Sequence, residues 1–130
     1  MGWVRWSSTI KKNIPTKKGY VFFIKIEPNR FLLERRPSKG ILGGLLGFPT
    51  TKWDVEKNDP SFPFKANWFY TGRVVIHQFS HFKLELEIVF GETEYSKFDN
   101  SKYLVVERQN FDLFSLPTLM RKVYAQANGF

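Results

Sequence analysis

The 130-residue chain contains no cysteine. That excludes a disulfide framework, an iron–sulfur cluster and a cysteine-ligated zinc within it. It has only two histidines, His77 and His81. No apolar run approaches the roughly 20 residues of a membrane-spanning helix. The N-terminus lacks the apolar core of a signal peptide. Together these features suggest a soluble intracellular domain with no membrane partner. What is abundant is apolar and aromatic surface, at 42% and 18% of residues, which fits a packed core and argues against disorder. A chain of this length forms one domain and buries about two-thirds of its unfolded surface.

Charge is distributed unevenly. The net charge is +8, and residues 1–40 carry ten Lys/Arg against two acids, Glu27 and Glu34. The remaining residues balance ten against ten. A localised basic segment before a neutral body points to a polyanion partner, and nucleic acid is the natural candidate. Residues 1–18 read as a basic linker or arm, with Trp3 and Trp6 available to pack on the body or on another domain, and residues 19–130 read as the folded domain.

Within that domain, Tyr20–Ile26 and Arg30–Arg36 are two strands joined by a turn at Glu27-Pro28-Asn29. A glycine-rich loop covers residues 37–49, and residues 50–70 are mostly loop, interrupted by Pro60 and Pro63. Residues 72–79 and 82–90 form two antiparallel strands pivoting at Ser80-His81. In the second, Phe82, Leu84, Leu86, Ile88 and Phe90 face the core. Lys83, Glu85 and Glu87 face solvent. Residues 91–102 are a surface connection and Tyr103–Arg108 is a further strand. Pro117 opens a C-terminal helix with an apolar stripe of Leu116, Leu119, Met120 and Val123, stopped by Asn128-Gly129. The architecture is α+β: one mixed sheet with a C-terminal helix.

Catalytic patterns are weak. Ser80 and His81 are chain neighbours, which on an extended backbone point to opposite faces, and no nucleophile-elbow motif surrounds them. Two histidines are too few for a structural zinc. The loop "GILGGLLGFP" lacks the Gly-Lys-Ser/Thr ending of a phosphate-binding loop. No catalytic residue and no metal ligand is assigned.

Three segments in order, "FLLERRPSKGILGGLLGFPTTKW", "HQFSHFKLELEIVF" and "LPTLMRKV", resemble the C-terminal domain of A/G-specific adenine DNA glycosylases of the MutY type. The match runs from about Gly19 to Val123. "LLERRP" followed by "GGLLGFP" also resembles the front of Nudix hydrolases, whose fold that family shares. Nudix hydrolases follow their glycine loop with a helix bearing a carboxylate cluster that holds a divalent metal. Here "TTKWDVEKNDPSFPFKAN" offers no such cluster, so the fold expected is Nudix-like with that helix reduced or absent, and no nucleotide pyrophosphatase activity.

The resemblance implies a DNA-repair module that reads 8-oxoguanine opposite adenine through Phe79, Ser80 and His81. The catalytic glycosylase domain, with its iron–sulfur cluster, would lie outside this chain. The chain alone would then be a fragment without enzyme activity or cofactor. Its partners would be damaged double-stranded DNA and that catalytic domain, in the cytoplasm and associated with the bacterial nucleoid. The chemistry is consistent with this. Guanine N7 is an acceptor, whereas the oxidised base carries a proton at N7 and a carbonyl at C8. A serine hydroxyl and its backbone can meet both changes. Lys17, Lys18, Arg35, Arg36, Lys39 and Arg73 are the candidate phosphate contacts. Two other readings remain: a Nudix-type nucleotide pyrophosphatase, and a protein-interaction domain that kept the fold without DNA contact.

Overall fold

The structure is a computed structural model and describes residues 14–35, 46–56, 59–94, 98–99, 101–112 and 115–127. Six strands appear in chain order: β1 (Thr16–Ile26), β2 (Arg30–Arg35), β3 (Leu46–Gly47), β4 (Asn67–Gln78), β5 (Lys83–Thr93) and β6 (Tyr103–Glu107). A 3-10 turn at Arg108–Asn110 and one helix among the described residues, α1 (Thr118–Ala127), complete the chain. The sheet order is β3-β2-β1-β5-β4, and β6 pairs with β2. This is the mixed sheet with a C-terminal helix that the sequence predicts. The described residues between β3 and β4 contain no helix. No described helix is long and apolar enough to cross a membrane.

β1 is the centre of the sheet. It runs parallel to β5 over its whole length, from Thr16 opposite Lys83 to Ile26 opposite Thr93. A parallel central strand is covered on both faces, so it reads as a continuous apolar run. "YVFFIKI" is such a run. Val21 and Phe23 enter the core on the helix face, where Leu84, Leu86 and Ile88 of β5 meet Leu119, Met120 and Val123 of α1. Phe22 and Ile24 enter a second core on the opposite face with Leu32, Val89 and Tyr103, covered by Phe64 and Trp68.

The β1–β2 hairpin forms as expected, through a cis Glu27-Pro28 bond. Its ladder is short, only Lys25 opposite Phe31 and Ile26 opposite Arg30. The strands then part. The vacated edge of β1 is taken by residues 49–54, through Phe22 N–H to Pro49 O (2.8 Å), Thr51 N–H to Tyr20 O (3.0 Å) and a reciprocal pair between Lys18 and Asp54. This places Trp53 beside the start of β5.

Four expectations need correction. β1 begins at Thr16, so Thr16, Lys17 and Lys18 are strand rather than arm. Their lysines suggested a solvated segment, but the parallel ladder to β5 satisfies their backbone. β4 begins at Asn67, inside the stretch read as loop; Trp68, Phe69 and Tyr70 pair with Gly91, Phe90 and Val89. β5 likewise continues to Thr93. Finally, Lys83, Glu85 and Glu87 are half-buried, because the flanking strands β1 and β4 crowd that face. Glu85 and Glu87 line a hollow of about 120 Å³ with Lys18 and Val74.

Candidate nucleic-acid interface

The β4–β5 connection is a tight turn of four residues, Phe79 to Phe82, closed by Phe79 N–H donating to Phe82 O at 2.8 Å. It sits between a twelve-residue and an eleven-residue strand. Ser80 and His81, at its tip, are exposed. Phe79 is not. It is partly buried against the main core, its ring stacked on Trp53 (centroids 6.0 Å apart, 23°), tilted on Phe82 (4.9 Å) and met edge-on by His77 (4.8 Å, 72°). The turn therefore has an aromatic root and a polar tip. Such pairs add about 0.5–1.5 kcal/mol each beyond area burial, which favours one pose of the turn.

Gly19 makes room for this root. A Cβ there would meet Thr51 Oγ1 at 3.0 Å, Lys52 O at 3.1 Å and Trp53 Cδ1 at 3.2 Å. A Cβ at position 19 would require these neighbours to give by a few tenths of an ångström.

His77 is not at the tip. It faces the helix side, with Nδ1 3.0 Å from Lys122 Nζ of α1. Its pKa is lowered, first by burial and second by the Lys122 charge, so the neutral imidazole is favoured.

The candidate phosphate-contact residues separate. Lys17 lies beside the turn, its Nζ 4.6 Å from the Phe82 ring centroid. Lys18 is exposed on the neighbouring register, and its backbone is bonded to Asp54. Arg35 is exposed at the end of β2, paired with Leu46 of β3. Arg73 donates through Nη1 to Gln126 O in the last turn of α1. That contact suits a guanidinium, because the last carbonyls of a helix lack intrahelical donors and carry partial negative charge. Arg36 and Lys39 lie outside the described residues, as do Trp3 and Trp6.

Two contributors escaped the sequence reading. Trp53 is an isolated aromatic in a loop, and nothing local signals that it stacks on a residue 26 positions later. Lys122 looks like an ordinary solvent-facing helix lysine. Only the packing of α1 on β4 brings it to His77.

At the opposite end of the sheet, Lys25, Glu27, Lys65, Glu92 and Glu94 line a wider hollow of about 640 Å³. Lys25 and Glu27 pair there at 3.3 Å. Among the described residues no three His, Asp or Glu side chains converge to hold a metal ion. Within those described residues, the carboxylates do not group into the oxygen-ligand set that a Nudix hydrolase's divalent metal needs.

A mixed sheet with this turn and helix defines a Nudix-type domain, and the NUDIX domain family matches residues 20–126; the chain belongs to that family. Among solved structures it is similar to the C-terminal domain of mouse MUTYH, seen in complex with human PCNA. The two share 16% identity over 87% of this chain and 88% of that one, with a TM-score of 0.62. It is equally similar in fold to the MutT protein of Methanosarcina mazei Go1, at 14% identity over 90% and 96%, TM-score 0.61. At these identities the likeness concerns the fold. No curated protein matches the sequence.

Proposed function

We propose that this chain is the lesion-recognition module of an A/G-specific adenine DNA glycosylase, reading 8-oxoguanine opposite adenine through the Phe79-Ser80-His81 turn. The observation that carries the reading is that turn: an exposed Ser80 and His81 held out by a Phe79 anchored on three rings. Serine can accept from N7–H or donate to the C8 carbonyl, and its backbone adds one donor and one acceptor. Lys17, whose Nζ lies beside the Phe82 ring of the turn, is placed to meet a phosphate and hold the register. The glycosylase chemistry and its iron–sulfur cluster then belong to a separate domain of the same protein, and this chain needs no cofactor of its own.

The test compares duplexes carrying 8-oxoguanine:adenine and guanine:adenine, bound to the glycosylase that contains this domain. The intact protein should prefer the oxidised pair. Ser80→Ala should reduce that preference by about 1–3 kcal/mol, the cost of a lost buried hydrogen bond. The thermal stability of the variant should change by less than about 0.5 kcal/mol, because the residue is an exposed turn position. Equal weakening on both duplexes rejects the readout role.

Family membership and the likeness to MutT favour a second reading, a nucleotide pyrophosphatase. Magnesium-dependent phosphate or pyrophosphate release from nucleoside triphosphates by this chain would establish it. We expect none.

A further inference from the structure

The C-terminal helix is fastened to β4 at two places. Arg73 reaches Gln126 O, and Lys122 Nζ reaches both Ile76 O (3.3 Å) and His77 Nδ1 (3.0 Å). An ammonium only donates, so Nδ1 must accept, and the imidazole proton resides on Nε2. One tautomer and one ring orientation are thereby selected. The selected ring is the one that meets Phe79 edge-on at 4.8 Å. Phe79 N–H in turn closes the turn on Phe82 O. A chain of direct contacts thus runs from α1 to the residue preceding Ser80.

We propose that Lys122 is a positioning residue for the recognition turn, acting through His77 on Phe79, so that the C-terminal helix helps to set the pose of Ser80. This rests on the lesion-recognition reading for its consequence, though not for its geometry. Among the described residues, the groups facing His77 are Lys122 from α1, the apolar Leu84 opposite it on β5, and Phe79 from the turn. Lys122 is the charged one among them, so its removal acts on the imidazole in a defined direction.

The competing role for an exposed lysine near this turn is direct phosphate contact. The two roles differ in selectivity and in salt dependence. A phosphate contact weakens binding equally to damaged and undamaged duplex and lowers the salt slope by about one. A positioning residue erodes the preference for the oxidised pair and leaves the salt slope alone.

The experiment has two arms. In the first, nitrogen-detected NMR of the 130-residue chain without DNA follows the His77 ring and the Phe79 aromatic resonances. Lys122→Met should abolish the single Nε2–H tautomer, raise the His77 titration midpoint and shift Phe79, with core amides unmoved. Lys122→Arg, which can still donate to Nδ1, should restore the tautomer. Unchanged His77 and Phe79 signals in Lys122→Met would overturn the proposal, whatever DNA does. In the second arm, the glycosylase carrying Lys122→Met should lose preference for 8-oxoguanine:adenine by roughly threefold to tenfold, the lower range of couplings between residues in contact. Equal loss on both duplexes with a reduced salt slope would assign Lys122 to phosphate instead. If the unmodified protein shows no preference at all, the recognition reading fails, and the first arm alone decides the positioning claim.

Discussion

Gly91→Ala should destabilise this domain by about 2–3 kcal/mol, although it adds a single methyl group. Gly91 lies on β5 directly opposite Trp68 of β4. The indole covers the glycine so closely that a Cβ would fall 2.4 Å from Cζ3 and 2.5 Å from Cε3. Carbon atoms rest at roughly 3.5–4.0 Å, so the ring must withdraw by about 1 Å. It is not free to do so. Its Nε1 donates to Phe64 O at 3.1 Å, it stacks on Phe62 (5.3 Å, 15°), and it meets Phe22 edge-on at 5.4 Å. Overpacking of this kind costs about 1–3 kcal/mol, and a broken hydrogen bond adds about 1. The loss of unfolded-state freedom on replacing glycine returns about 0.4–1. For a domain of this size the net change is a fall in Tm of about 8–12 °C.

Thermal and urea unfolding followed by far-ultraviolet circular dichroism is the suitable assay, because four tryptophans prevent fluorescence from isolating Trp68. The urea midpoint should fall with m unchanged. In a Trp68→Leu background the same glycine substitution should cost far less, since its obstacle is gone. A loss under about 0.5 kcal/mol in the native background would refute the claim that this face of the sheet is closed by an indole seated on a glycine.

Two further outcomes follow from the same packing. Phe48→Ala should cost about 3–5 kcal/mol in urea unfolding, because the ring is fully buried and touches Phe23 at 5.3 Å and Phe31 at 5.8 Å. His77 should make stability pH-dependent in one direction. Its folded pKa lies below the ordinary value, through burial and then Lys122, so the folded state binds fewer protons than the unfolded one. The contribution is complete above about pH 6.5 and is lost as pH falls below it toward the folded pKa. Urea midpoints measured between pH 7.5 and 5.0 should fall more steeply for the native chain than for His77→Phe, and parallel curves would contradict the assignment.

Local chemistry explains what could be read from the residues alone. Strict alternation after Phe82 identifies β5 and its buried face. Glu27-Pro28-Asn29 marks the hairpin turn, and Pro117 with the following stripe marks α1. The Phe79-Ser80-His81 turn was visible as a break between two patterned strands. The parallel β1–β5 pairing was not. It joins residues some 67 positions apart, with no turn to fix the register. Trp68, Phe69 and Tyr70 carry no alternation, so the first half of β4 looked like loop. Trp53 and Lys122 become part of the site only through pairings made elsewhere: Gly19 admits residues 51–53, and α1 docks on β4.

On the proposed reading, the Ser80 hydroxyl discriminates only because its rotation is held: a free rotor would satisfy the lone pair of guanine N7 as well as the N7–H of the oxidised base. Discrimination therefore needs fixed groups around it. The turn offers backbone N–H and C=O groups whose directions are fixed by the Phe79–Phe82 hydrogen bond and by the rings around Phe79. A fixed carbonyl rewards N7–H and repels a lone pair, while a fixed N–H rewards the new oxygen. Ser80 adds one bond to that frame. Loosening the frame, at Trp53, Phe79 or Lys122, should then erode selectivity in the same direction as removing the hydroxyl. It should do so without touching the base at all.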